Sequence, residues 1–452
     1  MNSNLKWVSG ALALAMVVSA NAKVSPEEAA KLKTTLTPSG AEKGANADGS
    51  IPAWDGGMTK AAAGWGGPGK FYNDPFPSDK PTFTISKANL AQYKAKLTAG
   101  QVALFEKYVD TYKMNVYPTR RTFANPQWVY DATLKNATSA SLGGNGEALN
   151  GAVTGVPFPI PTTGHEVIWN HKTRFRDTSI RRWNNQFAVT TSGDFNLVKI
   201  QEDAKFTYAA KGATPESLNN IIVYFLQVTT APARLAGTIL LVHETMDQIK
   251  EARRAWQYNP GQKRLRRAPN VGYDNPGTAS DGLRTNDQLD VFNGAMDRYD
   301  WKLVGKKEIY VPANSYGLHS DKLKYKDIVK KGHLNQDLPR YELRRVWIVD
   351  STLKGGTSHL YKRRTFYVEE DGWQIVAVDC YDKRDQMWRV QEAHSAMAWD
   401  MPAQLPIGET VYDLQANRYL VMALNNEDTE TVRKDFDDKY FDPANVSKLA
   451  TK

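Results

Sequence analysis

Residues 255–269, AWQYNPGQKRLRRAP, place two large aromatic side chains, a tight turn and a run of arginines in one short stretch. Guanidinium groups bind carboxylates and phosphates through paired hydrogen bonds, and aromatic rings supply apolar contact area. This combination suits nucleic acid, a membrane surface or an anionic amphiphile. It is equally compatible with a solvated outer sheet face, where arginines prevent aggregation. Both interpretations remain open at this point.

Catalytic and metal-binding motifs find little support in the chain. There is no Gly-x-Ser-x-Gly elbow and no His-Glu-x-x-His segment, which are the usual signatures of hydrolases. His165 and His171 share one face of a strand-like segment, HEVIWNHKTRFR, but six residues at ~3.3 Å each separate them by about 20 Å, too far to hold one metal ion. Aspartates crowd residues 281–300, where ion pairing explains them more simply than a calcium or acid–base site. We expect a protein that is not an enzyme and has no metal or cofactor.

The N-terminus has the features of a cleaved export signal. Residues 1–22 combine Lys6, an apolar run too short to span a bilayer and an Ala-x-Ala ending. The full chain has a formal charge of +9, which favours acidic partners. Because the chain is expected to be exported, nucleic acid is the least favoured of these partners. Cys380, the single cysteine, lies in an apolar run and is expected to be buried and inert.

Most of the elements that must position these residues are predicted to be strands. Residues 23–81 are rich in glycine, proline and alanine without periodicity, which predicts an extended arm pinned to the surface by its aromatics. A helix should begin at Thr98, where Thr98 and Gln101 form a capping box. A second helix should begin at Thr214 and continue through SLNNIIVYFLQV, whose apolar residues run nearly all the way round.

Two groups of strands carry aromatic and arginine side chains together. A β-hairpin over residues 251–269, with its turn at NPGQ, puts Arg254, Trp256 and Tyr258 on one face of its first strand. A meander over residues 341–390, with turns at Gly355-Gly356 and at EDG, has an aliphatic face and a face that mixes aromatics with arginine. A sheet that is apolar on both faces must be covered on both.

Several segments resemble the domain of unknown function 1329 family of exported proteins from Gram-negative bacteria. They are TPSGAEKGANADGSIPAW, VYPTRRTF, EVIWNHKTRFR, RRAWQYNPGQKRLRRAPNVGYDNP and FNGAMDRYDWKLVGKKEIYVPANSY. The resemblance spans nearly all of the chain after the signal. It implies an α+β fold similar to the periplasmic lipoprotein carriers: a curved antiparallel half-barrel, formed by residues 82–452, with helices over its concave face and the extended N-terminal arm against its convex face.

The resemblance also implies a location and partners. Members are commonly encoded near an inner-membrane transporter of the resistance-nodulation-division type and an outer-membrane companion. We therefore expect a periplasmic carrier for a hydrophobic or anionic amphiphilic molecule, whose acyl chain contacts rings and whose acidic head pairs with guanidinium. The expected ligand-binding residues are Arg254, Trp256, Tyr258, Leu265, Arg267, Trp347 and Tyr367.

Two alternatives predict different structures. A hydrolase acting on an envelope polymer would show a carboxylate pair or a Ser–His pair facing a pocket. A non-binding scaffold between transporter and outer-membrane partner would show a sheet without a cavity.

Overall fold

A computed structural model describes residues 24–269 and 271–450 of the chain. The predicted export signal, residues 1–22, lies outside the described residues. Within the described ranges, no helix combines the length and the apolar character that crossing a membrane requires.

Strands form most of the secondary structure, and the helices are short. The strands are β1 (Phe83–Ile85), β2 (Met114–Val116), β3 (Ser141–Gly143), β4 (Ala148–Asn150), β5 (Ser179–Trp183), β6 (Asn185–Val189), β7 (Phe195–Phe206), β8 (Ile221–Ala231), β9 (Ile239–Thr245), β10 (Arg254–Asn259), β11 (Arg264–Arg267), β12 (Tyr299–Pro312), β13 (Tyr341–Leu353), β14 (Arg363–Glu369), β15 (Ile375–Tyr381), β16 (Met387–Ala398), β17 (Ala403–Asp413), β18 (Arg418–Leu424) and β19 (Val432–Arg433). The helices are α1 (Pro26–Ala29), α2 (Leu90–Tyr93), α3 (Ala99–Lys107), α4 (Gln127–Ser139), α5 (Gly164–Lys172), α6 (Pro215–Leu218), α7 (Tyr325–Ile328) and α8 (Pro443–Ala450).

One large, mostly antiparallel sheet organises the molecule. Its pairing runs β12-β13-β14-β15-β16-β17-β18-β6-β7-β8-β9-β10-β11, every neighbour antiparallel. At β7 the sheet branches, because β5 also pairs with β7 and carries β19 on its other side. Among the pairings of the described residues, the end strands β11 and β12 do not join each other, so the sheet stays open.

Segment 164–172 is a helix, so the predicted strand through His165 and His171 is wrong. Thr163 and Glu166 form a capping box that fixes the first turn of α5. Val167, Trp169 and their neighbours are buried around most of the helix. Alternation over so few residues cannot distinguish a strand from a helix that is buried on several sides.

The predicted helix from Thr214 through Val228 is also wrong beyond its first turn. Thr214 caps α6 as expected, but Asn219 and Asn220 adopt positive φ angles of 45° and 63° and end the helix there. The run of β-branched and aromatic residues that follows is strand β8. A strand buried on both faces reads as a continuous apolar run, the same pattern that an all-apolar helix shows.

The strands of the meander are buried on both faces, as the sequence indicated. Phe366, Val378 and Cys380 lie in the largest apolar cluster, and Val346 and Val376 lie in a separate cluster. Cys380 is fully buried, as expected, and burial raises the pKa of its thiol to about 12. The division between faces differs from the prediction, because Ile348 pairs with Tyr367 and therefore lies opposite Phe366, and a register shift beside Tyr367 separates Val376 from Val378.

Residues 34–82, all of which the structure describes, contain no helix and no named strand. Several aromatics of this segment contact the sheet or its loops. Trp54 donates its indole N–H to the carbonyl of Phe123, and Tyr72 donates its hydroxyl to Asp400 at 2.7 Å. Trp65 packs edge-to-face on Trp399. These contacts hold the segment against the molecule although it has no periodic pattern.

Candidate functional site: a lidded cavity on one face of the sheet

A cavity of about 1200 Å³, counting the part open to solvent, lies beside the branch of the sheet. Strands β5, β7, β8 and β9 supply its floor, and Leu405 and Pro406 of β17 border it. Much of this volume opens to solvent, and the enclosed part is about 90 Å³.

The floor of the cavity is apolar and is not fully buried. Strict alternation along β8 turns Val223, Phe225 and Gln227 into the cavity, while the residues between them face the opposite side. On β9 the cavity-facing residues are Leu240 and Val242. Val223, Phe225 and Leu240 each keep an intermediate exposure. Apolar side chains thus remain accessible inside the cavity, where a hydrophobic molecule could cover them.

An irregular segment, residues 271–293, covers the cavity and is here called the lid. Seven of its residues line the cavity: Val271, Thr278, Arg284, Asn286, Leu289, Asp290 and Asn293. The only regular element of the lid is a 3₁₀ turn, Asn286–Gln288. The family resemblance implied helices over the concave face of the sheet, which stays a prediction. Beside the cavity lies α5, where Lys172 at its C-terminal end reaches the wall.

Most charged groups of the cavity are paired with each other. Arg182 bonds Glu202 at 2.8 Å, Arg176 bonds Asp290 at 2.6 Å, and Arg253 forms an ion pair with Glu244. Their carboxylates are thereby neutralised in place. The lining residues of this cavity include neither serine nor histidine, so the Ser–His pair expected of a hydrolase is not found there.

Arg284 differs from these paired arginines. Its side chain is 3% exposed, and no carboxylate of the described residues lies within ion-pair distance of it. Its two terminal nitrogens donate to the backbone carbonyls of Thr285 and Thr278 at 3.2 and 3.3 Å, and its Nε has no hydrogen-bond partner within the described structure. Desolvation lowers its pKa to about 10, although Glu202, Glu409 and Asp287 stabilise the charge from beyond ion-pair distance, and the guanidinium stays charged at neutral pH.

The predicted ligand residues of the hairpin lie on the other side of the sheet. Trp256 pairs with Leu241 and Tyr258 pairs with Ile239, and directly paired residues share a face. This face, opposite to the cavity, is called the outer face. None of Arg254, Trp256, Tyr258, Leu265 and Arg267 is among the residues that line the cavity.

The outer face is covered by residues 436–450, the C-terminal segment. Phe436, Phe441 and Val446 form a cluster with Tyr258 and Leu241 of the sheet, and Trp256 and Leu265 pack at its margin. The arginines take part in local contacts: Arg267 lies 4.7 Å above the Trp256 ring, and Arg254 pairs with Glu251 at 3.2 Å. Binding of a ligand by these residues stays a prediction, but the structure gives them a chain segment as their neighbour.

The other two predicted ligand residues lie in the meander, away from the hairpin. Trp347 stacks on Trp373 with ring centroids 6.2 Å apart, and the ammonium of Lys306 lies 4.9 Å above its ring. Tyr367 is buried and donates its hydroxyl to Asp379 at 3.0 Å. The structure therefore does not bring the seven predicted residues together in one site.

Three of the five aspartates of residues 281–300, Asp281, Asp287 and Asp290, form ion pairs, as the sequence indicated. Asp287 accepts from Arg364 at 2.8 Å, and Asp290 lies between Arg174 and Arg176. Neighbouring cations hold the pKa of both carboxyls well below the usual value despite their burial. In the described ranges no group of histidine, cysteine and carboxylate side chains is arranged to hold a metal ion.

The residues that line the cavity were missed by sequence reasoning for two reasons. Val223, Phe225 and Gln227 lie in the run interpreted as a helix; alternation would have placed them on one face had the run been assigned as a strand. Arg284 lies in DGLRTNDQ, where no pattern marks it. Only the fold of the lid brings it over the sheet.

Fold and cavity together define an open antiparallel sheet protein with a lidded, largely apolar cavity. The chain belongs to the family described as "protein of unknown function (DUF1329)", whose model matches residues 84–447. An uncharacterised protein of Pseudomonas aeruginosa is 52% identical over 423 residues, which cover 93% of each chain.

Solved structures show weaker likenesses. A DUF1329 family protein from Desulfovibrio piger is 15% identical, with a TM-score of 0.41 over 60% of this chain and 92% of that one. A putative outer membrane lipoprotein-sorting protein domain from Vibrio parahaemolyticus is 10% identical, with a TM-score of 0.43 over 62% and 97%. A LolA superfamily protein from Nitrosomonas europaea is 13% identical, with a TM-score of 0.38 over 62% and 98%. The family assignment rests on the family model and the Pseudomonas relative.

Proposed function

We propose that this protein binds a hydrophobic or amphiphilic molecule in the lidded cavity and acts as its carrier. The observation that carries the proposal is the accessible apolar floor formed by Val223, Phe225 and Leu240. Apolar surface left inside a cavity gains free energy when a ligand removes it from water, at roughly 25 cal/mol per Å². A scaffold without a ligand has no need of such a cavity.

The hydrolase alternative is weaker on the same geometry. The three carboxylates of the cavity, Glu202, Glu244 and Asp290, are each paired with an arginine. A general acid needs a raised pKa and a general base needs a free lone pair. Paired carboxylates serve neither role well, whereas they can fix the walls of a binding site.

The carrier is proposed to work in the periplasm with an inner-membrane transporter of the resistance-nodulation-division type and an outer-membrane partner. This part of the proposal rests on the sequence features of residues 1–22 and on the family resemblance. Cell fractionation with N-terminal sequencing tests it: the mature protein should be found in the periplasm and begin at Lys23. A cytoplasmic protein that retains its first residues would contradict it.

Binding is tested with a pair of matched substitutions. Leu240→Trp adds bulk inside the cavity, whereas Val228→Trp adds the same kind of bulk on the outer face of the neighbouring strand. The neutral fluorescent dye N-phenyl-1-naphthylamine reports occupancy of apolar sites. We expect Leu240→Trp to weaken dye binding about tenfold or more, a change of roughly 1.4 kcal/mol, and Val228→Trp to leave it nearly unchanged.

Two results would contradict the proposal. An equal loss of dye binding in both variants would mean that the dye responds to a general change in the protein. Loss only in Val228→Trp would place the binding surface on the outer face, where the sequence predicted it. Native mass spectrometry of the protein purified from its own cells should, in addition, show a bound lipid-like mass that Leu240→Trp reduces.

A further inference from the structure

The cavity carries more positive than negative side chains. Five cationic residues line it, Lys172, Arg176, Arg182, Arg253 and Arg284, against the carboxylates Glu202, Glu244 and Asp290. Three of the arginines are paired with these carboxylates. Lys172 and Arg284 are the remaining cations.

These two cations have different surroundings. Lys172 donates to the carbonyl of Gly294 at 3.2 Å and lies 4.8 Å from the Trp169 ring, and Glu244 and Glu147 stabilise its charge. Arg284 has two long bonds to carbonyls and, like Arg176, an Nε without a hydrogen-bond partner in the described structure. Glu202, Glu409 and Asp287 stabilise its charge only from beyond ion-pair distance. A buried guanidinium without a contacting carboxylate is costly, so Arg284 is the more unusual of the two.

The lid places the guanidinium of Arg284 beside Gly277 at the wall of the cavity. The backbone N–H of Gly277 donates to the carbonyl of Arg284 at 3.0 Å, which closes a tight loop. A Cβ built on Gly277 would lie 2.3 Å from Nη1 of Arg284. Glycine at this position therefore leaves the space that the guanidinium occupies at the wall of the cavity.

We infer that Arg284 recognises the acidic head group, a carboxylate or a phosphate, of an amphiphile whose apolar chain lies on the floor of the cavity. This inference rests on the proposed function. The guanidinium still has donor capacity at Nε, and a carboxylate or phosphate accepts such bonds with high strength. The excess of positive side chains lowers the energy of a negative ligand there, and the lid places the head group opposite the sheet.

The test compares four probes that separate head group from chain. Palmitate and hexadecyl phosphate carry the same chain with either acid, hexadecanol carries the chain alone, and inorganic phosphate carries the anion alone. Each competes with the neutral dye for the cavity below its micelle concentration. For the unmodified protein we expect both acidic amphiphiles to bind more tightly than hexadecanol, and inorganic phosphate not to displace the dye.

Arg284→Gln is the deciding variant, and Arg363→Gln is its control. Arg363 pairs with exposed Asp385 at 3.1 Å on β14 and does not line the cavity, so both variants lose one positive charge. Arg284→Gln should weaken the binding of palmitate and hexadecyl phosphate about 10- to 100-fold, which is the range expected for the loss of a charged hydrogen bond. Binding of hexadecanol should be unchanged in this variant. Arg363→Gln should leave the binding of all four probes unchanged.

A second readout separates recognition from a structural role. If Arg284 served only to hold the lid, Arg284→Gln would lower the urea midpoint of unfolding and weaken every probe equally. If Arg284 serves recognition, its replacement should leave the midpoint unchanged or raise it, because a buried charge that contacts no carboxylate is removed.

Other outcomes overturn the inference in distinguishable ways. Loss of acid preference in Lys172→Gln but not in Arg284→Gln would assign the head group to Lys172. Displacement of the dye by inorganic phosphate alone would mean that the site binds free anions rather than amphiphiles. If acidic and neutral chains bind equally, and Leu240→Trp still blocks both, the inference fails while the proposed function stands.

Discussion

The two faces of strands β8, β9 and β10 share one backbone but differ in the contacts and exposure of their side chains. On the outer face, aromatic rings and arginines contact one another and the C-terminal segment. On the cavity face, apolar side chains keep partial exposure, and Arg284 contacts no carboxylate within ion-pair distance in the described structure. Aromatic and guanidinium groups side by side therefore do not by themselves mark a binding site.

The largest expected loss of stability comes from a substitution in the C-terminal segment that covers the outer face. Phe441 is fully buried, stacks on Tyr224 with ring centroids 5.5 Å apart, and accepts a hydrogen bond from His243 at its carbonyl. Phe441→Ala should reduce the free energy of unfolding by about 3–5 kcal/mol, as for other buried aromatics. Urea unfolding measures this loss. The folded fraction should still bind the neutral dye; loss of dye binding without loss of stability would remove the distinction between the faces.

A smaller effect should appear as pH dependence on the cavity side. Glu409 of β17 is buried and accepts from the backbone N–H of Val291 in the lid at 3.2 Å. Burial, and then the neighbouring Asp290, raise the pKa of Glu409 to about 7, above its ordinary value of 4.5. The folded state therefore binds a proton that the unfolded state has released between these two values. Stability from this group is present below about pH 4.5 and is lost as pH rises through about 7.

The check is urea unfolding of the unmodified protein and of Glu409→Gln. Between about pH 5 and about pH 8 the unmodified protein should lose on the order of 2 kcal/mol more than the variant. Taking the difference between the two proteins removes the contribution of the other titrating groups. Parallel pH profiles would show that Glu409 does not titrate in this range.

Trp256→Ala should have a moderate effect confined to stability. The ring is partly buried, contacts His243 edge-to-face at 4.8 Å and lies beneath Arg267. Because the ring is not fully enclosed, we expect a loss of about 2 kcal/mol, below the range for buried tryptophan. Thermal unfolding and dye binding are measured together. Weaker dye binding at unchanged stability would restore the hairpin as a ligand site.

The smallest expected stability effect comes from Gly277→Ala in the lid. The added Cβ would meet the end of a flexible side chain, the guanidinium of Arg284, rather than fixed backbone. We expect a loss within about 1 kcal/mol together with several-fold weaker binding of palmitate, because the guanidinium must move. Calorimetric titration with palmitate and with hexadecanol measures this selectivity. An equal change for both ligands would mean that the whole lid has shifted.

Local signals in the sequence predicted the strands better than the site. NPGQ between alternating strands predicted the hairpin, and glycine turns predicted the meander of β13 to β16, because turn chemistry acts over a few residues. The run that became β8 was assigned as a helix, since apolar residues at every position fit either element. The outer face could not be recognised, because the segment that covers it lies almost two hundred residues later in the chain. Arg284 gave no signal, since burial without a partner exists only in the assembled fold.

The placement of the C-terminal segment also orders the events of folding. Residues 436–450 are the last described part of the chain, yet they bury the outer face of β8 to β10. Before these residues dock, the rings of the hairpin lack their cover, and long-range contacts of this kind form slowly. In the described structure β11 pairs with β10 alone, and its exposed arginines, Arg264, Arg266 and Arg267, make that open edge a poor template for another strand. The charges of this edge thus disfavour association of the hairpin while its rings are still uncovered.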